Sequence, residues 1–197
     1  MSGLRADVLD RFAEVLDYPG PELAETVSSC VAEIAGEQTE AAELLRGFLA
    51  LVEATPLGRL QEIYTGTFDL DTLSDLDATC YPYVGHHLFG ESYKRSTFLL
   101  GLKERYRAHG FAVERELPDH LVVMLRFCAS CRDESLVDEL VHEALVPALT
   151  RMVGDEDEPI LQPGGKAAYL RVLRALLLVL RERERLSGEL ERASEAV

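Results

Sequence analysis

The stretch from Lys166 to Arg185 reads KAAYLRVLRALLLVLRERER, and it is apolar over much of a helix's circumference. A surface helix keeps one polar face, so a helix like this is expected at the centre of a fold, covered on several sides. The rest of the chain must supply the cover. Strand-like alternation is nearly missing, and apolar residues recur at helical spacing instead. Leu4, Val8, Phe12, Val15 and Leu16 make one stripe, and Leu60, Ile63, Tyr64, Thr67 and Phe68 another. These patterns predict an all-α fold: a single compact helical domain of roughly eight to ten helices, over 1–185, with a charged tail at 186–197 expected to lack order.

Punctuation sets the expected boundaries. A first helix stops near Pro19 and Gly20, a second follows Pro21, and a third runs from about Thr39 to Glu53. Thr55 and Pro56 read as an N-cap followed by proline at the first helical position. The segment 81–90, YPYVGHHLFG, is expected to hold a short irregular helix, because Pro82 and Gly85 interrupt it. A helix over about 91–109 carries Phe98, Leu102 and Tyr106 on one face, and Glu91 and Arg95 are spaced to pair along it. Gly110 suits the left-handed residue after its end. The next helix is expected to open at Pro118 and run to about Ser130. Another spans about 134–153, with a kink or break before Pro147.

The formal net charge is −15. A protein this acidic repels phosphate backbones and anionic membranes, so nucleic acid is not an expected partner. A basic peptide would be attracted. The opening MSGLRADVLDRFAEVL lacks a signal-peptide core, and the longest apolar run, ALLLVL at 175–180, is too short to span a bilayer. These features set the expectation of a cytoplasmic protein with no membrane insertion, and its four cysteines are expected to be reduced.

Several residue pairs suggest chemistry and then lose it on geometry. Cys128 and Cys131 form a C-x-x-C, yet both fall near the stripe of Leu117, Leu121 and Met124, which favours core packing over a zinc or redox role. Cys80, His86 and His87 match no common ligand spacing, so neither a metal nor a cofactor is expected. Asp119 and His120 are adjacent, which on a helix turns their side chains about 100° apart. They cannot make an Asp-oriented catalytic histidine by themselves. The wheel puts Asp119 on the polar side with Arg126, and His120 at the margin of the apolar stripe. That margin suits a groove lining better than a reaction.

Three segments, in order, carry a resemblance. LQEIYTGTFDL at 60–70 resembles a Tyr-x-x-Thr-Phe-Asp helix. HLFGESYKRSTFLLGLKERYRAHGF at 87–111 has a Gly-Glu turn, a basic helix and a Tyr-Arg before a closing Gly-Phe. ELPDHLVVMLRFCA at 116–129 matches a Leu-Pro-Asp-His-Leu helix. Together they resemble the NarJ/TorD-type chaperones of molybdenum enzymes, the nitrate reductase delta subunit family or redox enzyme maturation proteins. YPYVGHHLFGE at 81–91 departs from the nitrate reductase version and looks closer to the branch serving other enzymes of the dimethyl sulfoxide reductase superfamily.

The resemblance implies an all-helical, non-catalytic chaperone, monomeric or weakly dimeric. It would bind the N-terminal leader of a molybdopterin oxidoreductase catalytic subunit, a twin-arginine-type signal or its remnant. Asp119 and His120 are the first candidates for the peptide site, with Pro118 at the same helix start. Tyr81, Tyr83 and Phe89 are candidate apolar anchors, Gly90 the adjoining turn, and Glu91, Asp69 and Asp119 candidate partners for the leader's arginines. Two other readings compete: a helical metal-dependent enzyme using the Cys and His residues, and a permanent structural subunit of an oxidoreductase complex.

Overall fold

The computed structural model describes residues 6–68, 80–113, 115–154 and 166–195. Ten α-helices lie along them: α1 Ala6–Val15, α2 Leu23–Ile34, α3 Thr39–Ala54, α4 Leu57–Phe68, α5 Val84–Phe89, α6 Tyr93–Ala108, α7 Leu121–Ser130, α8 Glu134–Leu140, α9 Val146–Val153 and α10 Lys166–Glu195. A π-helical turn, Val141–Leu145, joins α8 to α9. Among the described residues there is no strand, only an isolated antiparallel bridge between Tyr83 and His120. No described helix is long and apolar enough to cross a membrane.

The apolar helix is central, as its circumference requires. In α10 Tyr169, Val172, Leu173, Leu176, Leu177, Val179 and Leu180 are all buried. The helix packs against α3, α4 and α9, while α1 packs on α7 and α2. Tyr169 organises an aromatic centre, with ring centroids 5.0 Å from Phe48, 5.5 Å from Tyr64 and 5.2 Å from Phe68. Such edge-on contacts add to the area that these rings bury. Phe68 and Tyr106 are core, and Tyr64 and Phe98 pack against it half-buried.

Two local expectations change. The helix α10 does not end near Arg185 but continues to Glu195. Arg185 bonds Glu182 at 2.6 Å and Glu189 at 2.5 Å, which carries the helix past its apolar part. The helix after Pro118 begins at Leu121, because the Asp119 carbonyl accepts the Val84 N–H (2.8 Å) and is not free for a helical bond. Cys128 is buried in the core, whereas Cys131 caps the C-terminus of α7 and packs against the core only half-buried.

Candidate functional site

The bridge between Tyr83 and His120 joins two helix starts. Pro82 holds the preceding residue out of the helical region, so the chain enters α5 extended, with Tyr83 as its N-cap. His120 is the N-cap of α7, equally extended at φ −65° and ψ 130°. The backbone then ties the two strands of chain together twice. Val84 donates to the Asp119 carbonyl, and Leu121 donates to the Pro82 carbonyl at 2.7 Å. The Tyr106 hydroxyl, buried on α6, donates to the Pro118 carbonyl at 2.8 Å. The Tyr83 and His120 rings meet edge-on, 5.5 Å between centroids.

Asp119 lies beneath this bridge with no exposed surface. That corrects the expected placement on the polar side with Arg126, which instead pairs with Asp17 at 2.7 Å. Asp119 precedes α7, so the helix wheel does not describe it. Its Oδ2 accepts from Arg95 Nε at 3.1 Å, and its Oδ1 has no partner. Arg95 extends outward from there. Its Nη1 reaches Glu91 Oε1 at 3.1 Å, the i,i+4 pairing read from the sequence, and its guanidinium lies 5.5 Å from the Tyr83 ring centroid. Glu91 is the exposed end of this chain of contacts, with 83% of its side chain open to solvent. His86 approaches the same carboxylate at 3.7 Å.

Gly85 makes the arrangement sterically possible. A Cβ there would sit 2.7 Å from Asp119 Oδ2 and 3.0 Å from Phe98 Cδ1. Gly90 ends α5 at φ 61°, a left-handed conformation suited to glycine, with its N–H on the His86 carbonyl at 2.8 Å. Neither Gly85 nor Arg95 stood out in the sequence as part of a site. Glycine inside a short apolar run marks a close approach in general, but the partner, 34 positions along the chain, was not legible.

Of the candidate residues, Tyr81, Tyr83, Glu91, Asp119 and His120 are linked to this cluster by direct contacts. Tyr81 stacks edge-on against His86, 4.8 Å between centroids, and its carbonyl bonds His87 Nε2 at 2.8 Å. Phe89 lies at the end of α5, partly exposed, and packs on Phe98 at 5.5 Å. Pro118 is buried, and its carbonyl anchors Tyr106, so its contact is with the fold's own interior. Asp69 lies outside the described residues.

Burial sets the electrostatics. It pushes the His120 imidazole below its usual range, against the opposing pull of Glu116, Asp17 and Asp119. His120 Nδ1 has no hydrogen-bond partner. Burial raises the Tyr83 phenol, helped by Glu116 and Asp119, so the hydroxyl stays protonated and can donate. His87 is likewise pushed down by burial. Among the described residues no group of three or more His, Cys, Asp or Glu side chains could hold a metal ion. The cluster thus sets the partly exposed Tyr81, Tyr83 and Phe89 around a half-buried imidazole, with the carboxylates of Glu91 and Glu116 nearby.

Comparison with known proteins bears on the same residues. The profile of a family described as nitrate reductase delta subunit matches residues 32–159, a stretch that contains the whole cluster. A Bacillus subtilis (strain 168) protein described as a probable nitrate reductase molybdenum cofactor assembly chaperone NarJ is 32% identical over 125 residues. That match covers 61% of this chain and 64% of the relative, just under two thirds of its length. Among solved structures, an Archaeoglobus fulgidus protein described as a candidate redox enzyme maturation protein aligns with a TM-score of 0.53 at 23% identity. The alignment covers 90% of this chain and 96% of the other, and it establishes a shared fold.

Proposed function

Since the chain belongs to the nitrate reductase delta subunit family, we propose that it is a cytoplasmic assembly chaperone, non-catalytic itself, that binds the N-terminal leader of a molybdopterin oxidoreductase catalytic subunit. The leader is a twin-arginine-type signal or its remnant. The chaperone holds the apo-enzyme while the client's cofactor is inserted, and so delays export or membrane docking. The observation that carries this reading is the joining of Tyr83 and His120 at the start of α7, within the matched stretch and beside an acidic rim.

The chemistry of a leader fits such a surface. Its apolar stretch can cover Tyr81, Tyr83 and Phe89, and its basic end faces Glu91 and Glu116. The neutral His120 imidazole, half-buried and edge-on to Tyr83, extends the same face for the apolar stretch to cover. The relative's name points to a nitrate reductase catalytic subunit as the first client to try. The unusual YPYVGHHLFGE segment makes the catalytic subunit of another dimethyl sulfoxide reductase superfamily enzyme the second.

Isothermal titration with the client's leader peptide tests the proposal. Binding at low salt is expected, with His120→Ala and Tyr83→Ala each weakening it about tenfold, as for loss of a central anchor. Absence of binding by the wild-type chain at low salt would sink the peptide-binding claim. Asp119→Ala is the poorer probe. It strips Arg95 of its buried partner, and affinity and folding would change together.

A further inference from the structure

We propose that Asp119 forms a guanidinium-exchange site: Arg95 occupies it in the free protein, and an arginine side chain of a bound peptide replaces Arg95 there. This deepens the peptide-binding reading and rests on it for the identity of the occupant. Asp119 is wholly buried, yet only one of its two carboxylate oxygens is bonded. Buried polar atoms are nearly always paired, so an orphan Oδ1 marks a missing donor. Arg95 meets the carboxylate through Nε, while its Nη1 bonds Glu91 and ties the guanidinium toward the surface. A guanidinium that arrives without that second tie can bond both oxygens in the bidentate geometry that suits a carboxylate.

The exchange is electrostatically cheap. Removing Arg95 alone would strand a buried charge, which is strongly unfavourable. Swapping one guanidinium for another leaves the buried carboxylate compensated throughout. The route also exists. Arg95 runs from the buried carboxylate to Glu91 at the surface, and its side chain is 14% exposed. Where Arg95 lies, an incoming arginine can follow, with the Tyr83 ring against its face and Glu91 retaining the displaced Arg95 outside. Gly85 keeps the far wall free of side-chain atoms. Lysine has a single point of charge and cannot span both oxygens, so the site selects arginine.

Two measurements test this. In the first, Arg95→Ala is heated with low-millimolar guanidinium chloride, against sodium chloride at equal ionic strength. Guanidinium is expected to raise its Tm by about 3 °C or more through binding to the folded state. It should leave the wild type and the Arg95→Ala/Asp119→Asn double variant unmoved. If Arg95→Ala folds only when guanidinium is present, that too is the expected rescue. No rescue, or equal rescue of the double variant, overturns the proposal; a merely structural Arg95 would share the rescue, and the second measurement separates the two. In the second, Arg95→Ala is expected to bind the leader peptide about tenfold more tightly than the wild type, and a peptide with its arginines changed to lysine should lose that gain. Unchanged affinity, or a gain kept by the lysine peptide, overturns it. Failure of the wild type to bind any leader removes the peptide reading alone, since guanidinium rescue needs no client.

Discussion

At Gly85 one added carbon decides whether Asp119 can stay where it is. The required Cβ would fall 2.7 Å from Asp119 Oδ2, with Phe98 and Arg95 crowding the other sides. None of these neighbours is a free side-chain end, since Asp119 is tied to Arg95 and Phe98 packs on Phe89. Gly85→Ala is therefore expected to destabilise the fold by about 1–3 kcal/mol, the usual cost of overpacking. Gly101→Ala on α6, where nothing lies within 4 Å, should instead stabilise by roughly 0.5–1 kcal/mol through helix propensity. Urea denaturation of the two variants measures both signs.

Single titrating groups carry their own consequences. His120 and His87 are both pushed down by burial, so the folded state binds their protons less readily than the unfolded chain does. Stability from these groups is full above the unfolded value of about 6.5 and is lost as pH falls below it toward the folded values. His142 has the opposite sign, raised by its hydrogen bond to Glu184, but it is exposed and its effect is screened. A Tm that drops between pH 7.5 and 5.5 is expected, with a shallower drop in His120→Gln; an unchanged slope in that variant would remove His120 from the account. The thiols divide in the same way. Burial pushes Cys30 and Cys128 up to about 12, Cys80 is buried, and Cys131 is half-exposed. One fast-reacting thiol in the native protein, lost in Cys131→Ser, is the expected labelling result.

Elements show why some of this was legible and some was not. The pattern of α10 revealed its central position because circumference is a local property of sequence. The break near Pro147 was legible for the same reason: proline has no N–H to offer four residues back. The structure absorbs that loss with a π-helical turn, in which Val146 N–H bonds the Val141 carbonyl. The start of α7 lies three residues past Pro118, where the sequence alone places it, because the competing bond to the Asp119 carbonyl comes from Val84, far away in sequence. The partner of Asp119 was hidden likewise, since Arg95 is 24 positions distant. A buried cation on α10 illustrates the energetics of such distant pairs. Arg183, 5% exposed, bonds Glu134 and Asp138 of α8 at 2.7 Å each. Both carboxylates can return to water when the arginine is removed, since their side chains are 78% and 38% exposed. Arg183→Met is thus expected to cost less than the roughly 3–5 kcal/mol of breaking a fully buried pair, and a loss in that full range would place the carboxylates in a tighter setting than their exposure indicates.

For the molecule as a whole, the net charge of −15 acts before any contact forms. It draws a basic leader from a distance, although α6 carries Lys94, Lys103, Arg105 and Arg107 along its length. Arg105 is offset by Glu139 at 2.5 Å, so the repulsion comes mainly from Lys94, Lys103 and Arg107. The attraction is long-ranged and exposed, whereas the contacts at Tyr83 and His120 are short-ranged and partly buried. Salt distinguishes them, because it shortens the reach of the first to about 10 Å at 0.1 M and leaves the second almost intact. The association rate of a leader peptide should fall several-fold between about 50 and 300 mM salt, and the dissociation rate should change little. Glu91→Gln, which removes exposed charge at the rim, should lower the low-salt association rate and flatten its salt dependence. Stopped-flow fluorescence with a labelled peptide reads both rates. An association rate indifferent to salt would mean that the acidity keeps the chain soluble and does not recruit its client.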